Sequence, residues 1–174
     1  MTIAILDTDA QAVKDGIEPL IRILADSVDQ GAAIGFMAPL SDADAARFWL
    51  EQVSPELAAG RRRMFVARYR EELVGTVQLL TAMPANQPHR CEIAKMIVHP
   101  AARRLGIGRA LMSHALHQAR AIGKTLVTLD TRSGDAAQSL YASLGFEVAG
   151  AIPGYAWDAD GRTRHATTFM FARI

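Results

Sequence analysis

One stretch constrains this chain more than any other. Residues 96–112, MIVHPAARRLGIGRALM, begin as the apolar end of a strand, meet a His-Pro pair, and pass through Gly106 and Gly108 straight into a helix. Ala110, Leu111, Ala115 and Leu116 carry the helical spacing, and Gly123 closes it. A helix that leaves the end of a strand this directly belongs to layered α/β architectures. A chain of 174 residues has room for one such domain, residues 1–174.

The remaining elements follow from periodicity and breakers. TIAILDT predicts a first strand, and Asp9 caps a helix from about Ala10 to Val28 in which Val13, Ile17, Leu20, Ile21 and Leu24 recur at helical spacing despite Gly16 and Pro19. GAAIGFMAPL breaks the pattern, and Ser41 caps a second helix that Pro55 bends or interrupts. RMFVARYR and LVGTVQLLTA predict a hairpin, MPANQPHR a loop, and CEIAKMIVHP a third strand of this group. After the central helix come a strand KTLVTLD, a short helix in SGDAAQSLYASLG, a strand FEVAG, a loop containing Gly154, Asp158 and Gly161, and a last strand RHATTFMFARI. Hairpins mixed with crossover helices predict a single mixed, twisted sheet flanked by helices. Regular doubly wound alternation is absent.

Charge and cysteine content narrow the classes. The net charge is +1 and the arginines are dispersed, so no basic face for nucleic acid is expected. Cys91 is the one cysteine, which rules out a disulfide within the chain and suits a reducing compartment, and neither a signal peptide nor a long apolar run is seen. A cytoplasmic protein without membrane association is the expectation. His114 and His117 do not complete a metal site, and no metal is expected.

Three mechanisms compete for the two glycines. They can simply relieve strain at a helix start. A Walker loop lacks its GxxxxGK[ST] pattern here, and a dinucleotide fingerprint lacks its first glycine. The third is an anion nest, in which successive N–H groups from Arg104 to Arg109 face phosphates at the positive end of the helix, with Arg103 or Arg104 able to add charge.

MIVHPAARRLGIGRALM resembles the acetyl-CoA signature of the GNAT N-acetyltransferases: a strand, a proline, then Gln or Arg, two variable residues, Gly, any residue, and Gly or Ala opening the central helix. Arg103, Gly106 and Gly108 take the patterned positions, with Arg104, Leu105 and Ile107 between them. The family often has Gly where Arg104 stands and Arg or Lys where Leu105 stands, a departure that bears on side-chain contacts more than on backbone binding. AAQSLYASLGF resembles the family's late helix, with Tyr141, Gly145 and Phe146 fitting and Gly134 where many members have Asn. The resemblance extends over most of the chain and implies the single-domain GNAT acyltransferase fold. GAAIGFMAPL, LVTLDT and PGYAWDADGRTRHATTFMF resemble more closely the tabtoxin resistance branch, which acetylates an amino-acid-like β-lactam toxin.

The resemblance implies acetyl-CoA as acetyl donor and a small-molecule amine as acceptor, such as an amino-acid analogue or antibiotic. It also implies a contact surface made by Met96, Ile97 and Val98 for the pantetheine arm and by Arg103, Arg104, Leu105, Gly106, Ile107, Gly108 and Arg109 for the phosphates. Homodimerisation is a further expectation of the resemblance. Acetyl transfer needs a neutral amine, a polarised thioester and a proton route. Glu92 and Asp130, at the start and end of neighbouring strands, are candidates for amine positioning or proton transfer, and either can be the base. Tyr141 is the candidate donor to the departing sulfur. Phe36, Tyr155, Trp157 and Asp158 are candidates to wall the acceptor pocket. A peptide or protein acceptor, and a non-catalytic CoA-binding module, are the alternatives.

Overall fold

The computed structural model describes residues 2–174. Its elements run β1 (Ile3–Thr8), α1 (Ala10–Asp15), α2 (Ile17–Asp29), α3 (Asp42–Arg47), a π-helical turn (Phe48–Val53), α4 (Ser54–Ala58), β2 (Arg62–Tyr69), β3 (Glu72–Leu80) and β4 (Arg90–Val98). A short 3-10 turn (Pro100–Ala102), α5 (Ile107–Ala121), β5 (Leu126–Arg132), α6 (Ala136–Ala142), β6 (Glu147–Trp157) and β7 (Arg164–Arg173) complete the chain.

Among the described residues, seven strands make one sheet in the order β1-β2-β3-β4-β5-β7-β6. Only the central β4–β5 contact is parallel. Each face buries its own apolar cluster. Leu111, Met112, Ala115 and Ala119 of α5 pack with Val77, Leu79, Cys91, Ile93 and Val127 on one side, joined by Tyr141 and Phe146. Leu20, Ile23 and Leu24 of α2 pack with Phe48, Trp49, Val53, Met64 and Ile97 on the other. The mixed sheet flanked by helices is the architecture expected from the sequence.

Three local departures have physical causes. The expected helix over 10–28 is two helices hinged at Gly16; the Asp9 carboxylate caps the first, accepting from the Ala12 N–H at 2.8 Å. Pro19 sits in the first turn of α2, where its missing N–H would have had no helical partner. The second helix absorbs Pro55 by widening into a π turn before α4, which starts with Pro55 in its first turn. Tyr155 and Trp157, expected in a loop, instead lie on β6. Pro153 and Gly154 are accommodated because β6 is an edge strand and its register with β7 jumps from Ile152↔Thr167 to Ala156↔His165. The connecting loop is therefore only residues 158–163.

Two irregularities open the centre of the sheet. β4 pairs with β5 only at Arg90↔Leu126, Cys91↔Val127 and Glu92↔Thr128, after which β4 follows β3 to Gly75↔Val98 while β5 follows β7 to Arg132↔Thr167. The strands thus part beyond Glu92. On the other edge of β4, Gln78 pairs with Ala94 but Thr76 with Ile97, so Lys95 and Met96 form a bulge, with Lys95 at φ +48°.

Candidate functional site

The mouth of α5 leaves a run of backbone donors open. Arg104 (φ +66°) and Gly106 (φ +83°) turn the chain sharply, and Gly106 is the N-cap of α5 without any side-chain cap. Among the described residues, the first N–H of this stretch that finds a protein acceptor is that of Ala110, which donates to Gly106 O at 3.0 Å. Six consecutive backbone donors, Arg104 to Arg109, thus remain available at the positive end of a 15-residue helix. They fit an anion such as a pyrophosphate.

The side chains of this segment do other things. Arg103 Nε donates to Val98 O at 3.2 Å, Arg109 Nη2 donates to Ser143 Oγ at 2.7 Å and so ties α5 to α6, and Ile107 is buried in the core. Arg104 and Leu105 are exposed. Gly108 leaves room for close packing: a Cβ there would lie 3.2 Å from Leu140 Cδ2, which must give slightly, and in ordinary contact at 3.7 Å from Met96 Sδ. Close approach of α5 to α6 and β4 is therefore one cause of this glycine.

The parting of β4 from β5 places Met96, Ile97 and Val98 on a β4 edge that β5 does not pair. An extended polar chain can lie along that edge and use its backbone groups. Ile97 itself is buried against α2, and Met96 packs on the α5 side.

Glu92 and Asp130 share one face of the sheet. Arg90 Nη1 reaches both Glu92 Oε2, at 3.4 Å, and the Thr128 hydroxyl, at 2.8 Å, and Asp130 follows Thr128 by two residues on the same strand face. Both acids stand at the point where the strands part, and Asp130 is exposed. Tyr141, from α6, is buried beside Phe146 with ring centroids 6.0 Å apart. Burial pushes its phenol well above the ordinary tyrosine value, and the charges of Asp130 and Asp135 push the same way. Tyr141 therefore holds its proton at neutral pH.

The four residues expected to wall the acceptor side fall into different roles. Phe36 packs edge-on against Phe48 at 5.1 Å. Tyr155, half exposed, packs edge-on against Phe169, the cross-strand partner of Asp130. Trp157 is 54% exposed and stacks with Arg164, at 5.5 Å from the guanidinium carbon to the ring. Asp158 is spent on structure: it pairs with Arg132 at 3.1 Å and accepts from the Thr163 hydroxyl at 2.6 Å. Segments 31–40 and 158–163 meet through Ala38 N–H donating to Ala159 O at 2.8 Å.

Lys95 is the residue that sequence patterning misses. Its Nζ donates to Ile34 O at 2.8 Å and lies 5.4 Å and 5.8 Å from the rings of Phe36 and Phe48, which ties the 31–40 segment to the bulge. Burial lowers its pKa below the ordinary lysine value; the Asp130 charge opposes this and Arg62 adds to it. A lysine interrupting the apolar run from Ile93 to Val98 is the available signal. Among the described residues, no group of three or more His, Cys, Asp or Glu could hold a metal, and no helix is long and apolar enough to cross a membrane.

Comparison with solved structures returns the same architecture over nearly the whole chain. The yncA protein from Salmonella typhimurium, solved with its cofactor acetyl-CoA, is 23% identical with a TM-score of 0.78, covering 99% of this chain and 94% of that one. A ribosomal-protein-alanine N-acetyltransferase from Brucella melitensis is 24% identical with a TM-score of 0.78, covering 98% and 99%. An N-acetyltransferase from Staphylococcus aureus is 16% identical with a TM-score of 0.80, covering 99% of each chain. The model of the Acetyltransferase (GNAT) family matches residues 25–146, a span that holds the bulged β4, the mouth of α5 and the Tyr141 helix, and the chain belongs to that family.

Proposed function

We propose that this chain transfers the acetyl group of acetyl-CoA to a small-molecule amine held where β4 and β5 part. The observation that carries the proposal is the continuity of two features: an unpaired β4 edge at Met96–Val98, and six unpartnered N–H donors a few residues later at the mouth of α5. The edge suits the amide-containing pantetheine arm and the donors suit the pyrophosphate. Bound acetyl-CoA supplies a thioester, an acetyl group already activated for attack by nitrogen.

The chain's own residues then align and move protons. Glu92 and Asp130 hold the cationic amine and take its proton, directly or through water, leaving a neutral nitrogen whose lone pair forms the new C–N bond; the second proton, shed by that nitrogen after attack, passes through water to the departing sulfur. Tyr141, kept protonated by its burial, donates a hydrogen bond to the sulfur as the C–S bond breaks. With a pKa raised above that of a thiol, its contribution is stabilisation of the thiolate more than complete proton delivery. Phe36 and Tyr155 border the acceptor.

The bridge between Ala38 and Ala159 favours a small acceptor, because an extended peptide would need that side open. An amino-acid-like β-lactam or another antibiotic amine is the acceptor class suggested by the sequence resemblance. The test is release of free CoA from acetyl-CoA over a panel of amino acids, β-lactam analogues, aminoglycosides, polyamines and peptides, with product mass showing one added acetyl group. Turnover with a small amine is expected. Tight cofactor binding without turnover across the panel would replace the enzyme by a CoA-binding module.

A further inference from the structure

The face of the sheet that carries Glu92 and Asp130 continues onto β2 and β3 with a set of groups that take no part in holding the cofactor or moving protons. Met64, Gln78 and Ala94 pair across three strands in one row, and Arg62, Leu80 and Glu92 in the next. Side chains in a row point to one face, so Gln78 and Arg62 share the face of Ala94 and Glu92. Ala94 is small and leaves Gln78 close to the opening between β4 and β5. Lys95, next along β4, turns its Nζ to Ile34 O and to the rings of Phe36 and Phe48, on the side of the sheet where Met64 and Phe48 pack together.

These groups are donors in excess. Gln78 is fully buried; its Oε1 accepts from Arg62 Nη1, but its Nε2 has no protein acceptor, nor does the buried Nε of Arg62. Lys95 Nζ has one hydrogen-bond acceptor, Ile34 O, for three protons. The neighbouring ionic groups are already engaged: Glu56 accepts two hydrogen bonds from Arg61, Arg90 is shared among Gln87, Glu92 and Thr128, and Arg132 pairs with Asp158. A buried donor without an acceptor is unusual in a folded protein and calls for a partner, which an ordered water or an acceptor-bearing ligand supplies. Toward β5, Glu92 and Asp130 present the opposite chemistry, acceptors suited to an ammonium.

We propose that Gln78, Arg62 and Lys95 form an anion subsite that receives a carboxylate of the acceptor, so that the substrate is an amine that also bears a carboxylate. The inference rests on the proposed acetyl-transfer function and specifies its acceptor. A planar guanidinium beside a planar amide matches the two in-plane oxygens of a carboxylate. The recess that borders Arg62 at the sheet edge holds Asp7, Asp9 and Arg63, with Asp7 already paired to Arg63; the carboxylate is assigned instead to the β4–β5 side, where Glu92 and Asp130 hold the amine of the same substrate.

The test reads binding separately from turnover. The CoA-saturated protein is titrated by calorimetry with N-acetyl amino acids and with the corresponding carboxamides, which differ only in the anion, and kcat/KM is measured for amino acids against their decarboxylated amines. The acid of each pair should bind about tenfold or more tightly than the amide, the scale of one charge-assisted hydrogen bond. Gln78→Glu keeps an oxygen for Arg62 but replaces the free donor by a negative charge, and it should bring the gap within about twofold. Lys95→Met, which needs no partner at Gln78, should narrow the same gap. Equal binding of acid and amide by the wild type, or a gap that survives in both variants, would overturn the subsite. Acid preference without acetyl transfer would overturn the proposed reaction alone; transfer without acid preference would overturn the subsite alone.

Discussion

Replacing Gly106 by alanine perturbs the mouth of α5 through its backbone alone. A Cβ at this position meets nothing within 4 Å, so steric exclusion by the protein contributes nothing. What changes is the cost of φ +83°, which is about 1–2 kcal/mol for an L residue with a side chain. Either alanine keeps the left-handed conformation and the fold absorbs the cost, or the turn relaxes, the N–H groups of Arg104–Arg109 rotate away, and the cofactor must restore them. The first outcome lowers Tm by about 2–8 °C at this chain length. The second raises the Kd for CoA by about 5- to 30-fold. Intermediate cases divide the same total between them. Gly106→Asn should recover much of the loss, because asparagine tolerates this region better than alanine. Paired measurement of Tm and of CoA affinity by calorimetry decides the matter. If Gly106→Ala leaves both at wild-type values, or if Gly106→Asn is worse than Gly106→Ala, the account of the turn is refuted.

Other perturbations separate the remaining roles. Gly108→Ala should change stability by less than about 1 kcal/mol, since Leu140 can shift and alanine favours a helix, whereas Gly108→Val should loosen α5 from α6 and lower Tm. Glu92→Gln and Asp130→Asn should each lower kcat/KM by about tenfold or more with CoA affinity little changed; wild-type turnover in both would remove the acids from the reaction. Tyr141→Phe should slow single-turnover acetyl transfer by about tenfold. Because the folded pKa of Tyr141 is raised, no loss of rate from its ionisation should occur between pH 6 and about pH 10. Cys91 is held protonated up to about 11 by burial, so the folded protein should resist iodoacetamide at pH 8. The same shift makes the folded state bind that proton more tightly, and its contribution to stability should be complete below about pH 8.5 and decline as pH rises toward 11.

The mouth of α5 is legible in the sequence because its signals are local. Pro100, Gly106, Gly108 and the apolar spacing of the helix all act within a few residues. The order of elements, the capping by Asp9 and Ser41 and the hairpin of β2 with β3 are readable for the same reason. The opening of the sheet is not. It depends on β4 following β3 while β5 follows β7, a competition between partners far apart in the chain. Tyr155 and Trp157 look like loop residues beside Pro153 and Gly154, and only their position on an edge strand lets β6 continue through them. Asp158 illustrates another limit: a carboxylate near a pocket is indistinguishable in sequence from one committed to Arg132 and Thr163. Lys95 and Gln78 gain their significance from neighbours on other elements, Phe36 and Phe48 in one case and Arg62 in the other.

Hydrogen exchange of the backbone amides with and without acetyl-CoA tests most directly the claim that the parted strands and the mouth of α5 form one cofactor site. The account predicts protection gained together in two segments, Met96–Val98 on the open edge of β4 and Arg104–Arg109 at the start of α5, with smaller changes on the distant β1 and β2. Binding of acetyl-CoA that protects neither segment, or protects only residues away from both, would contradict it.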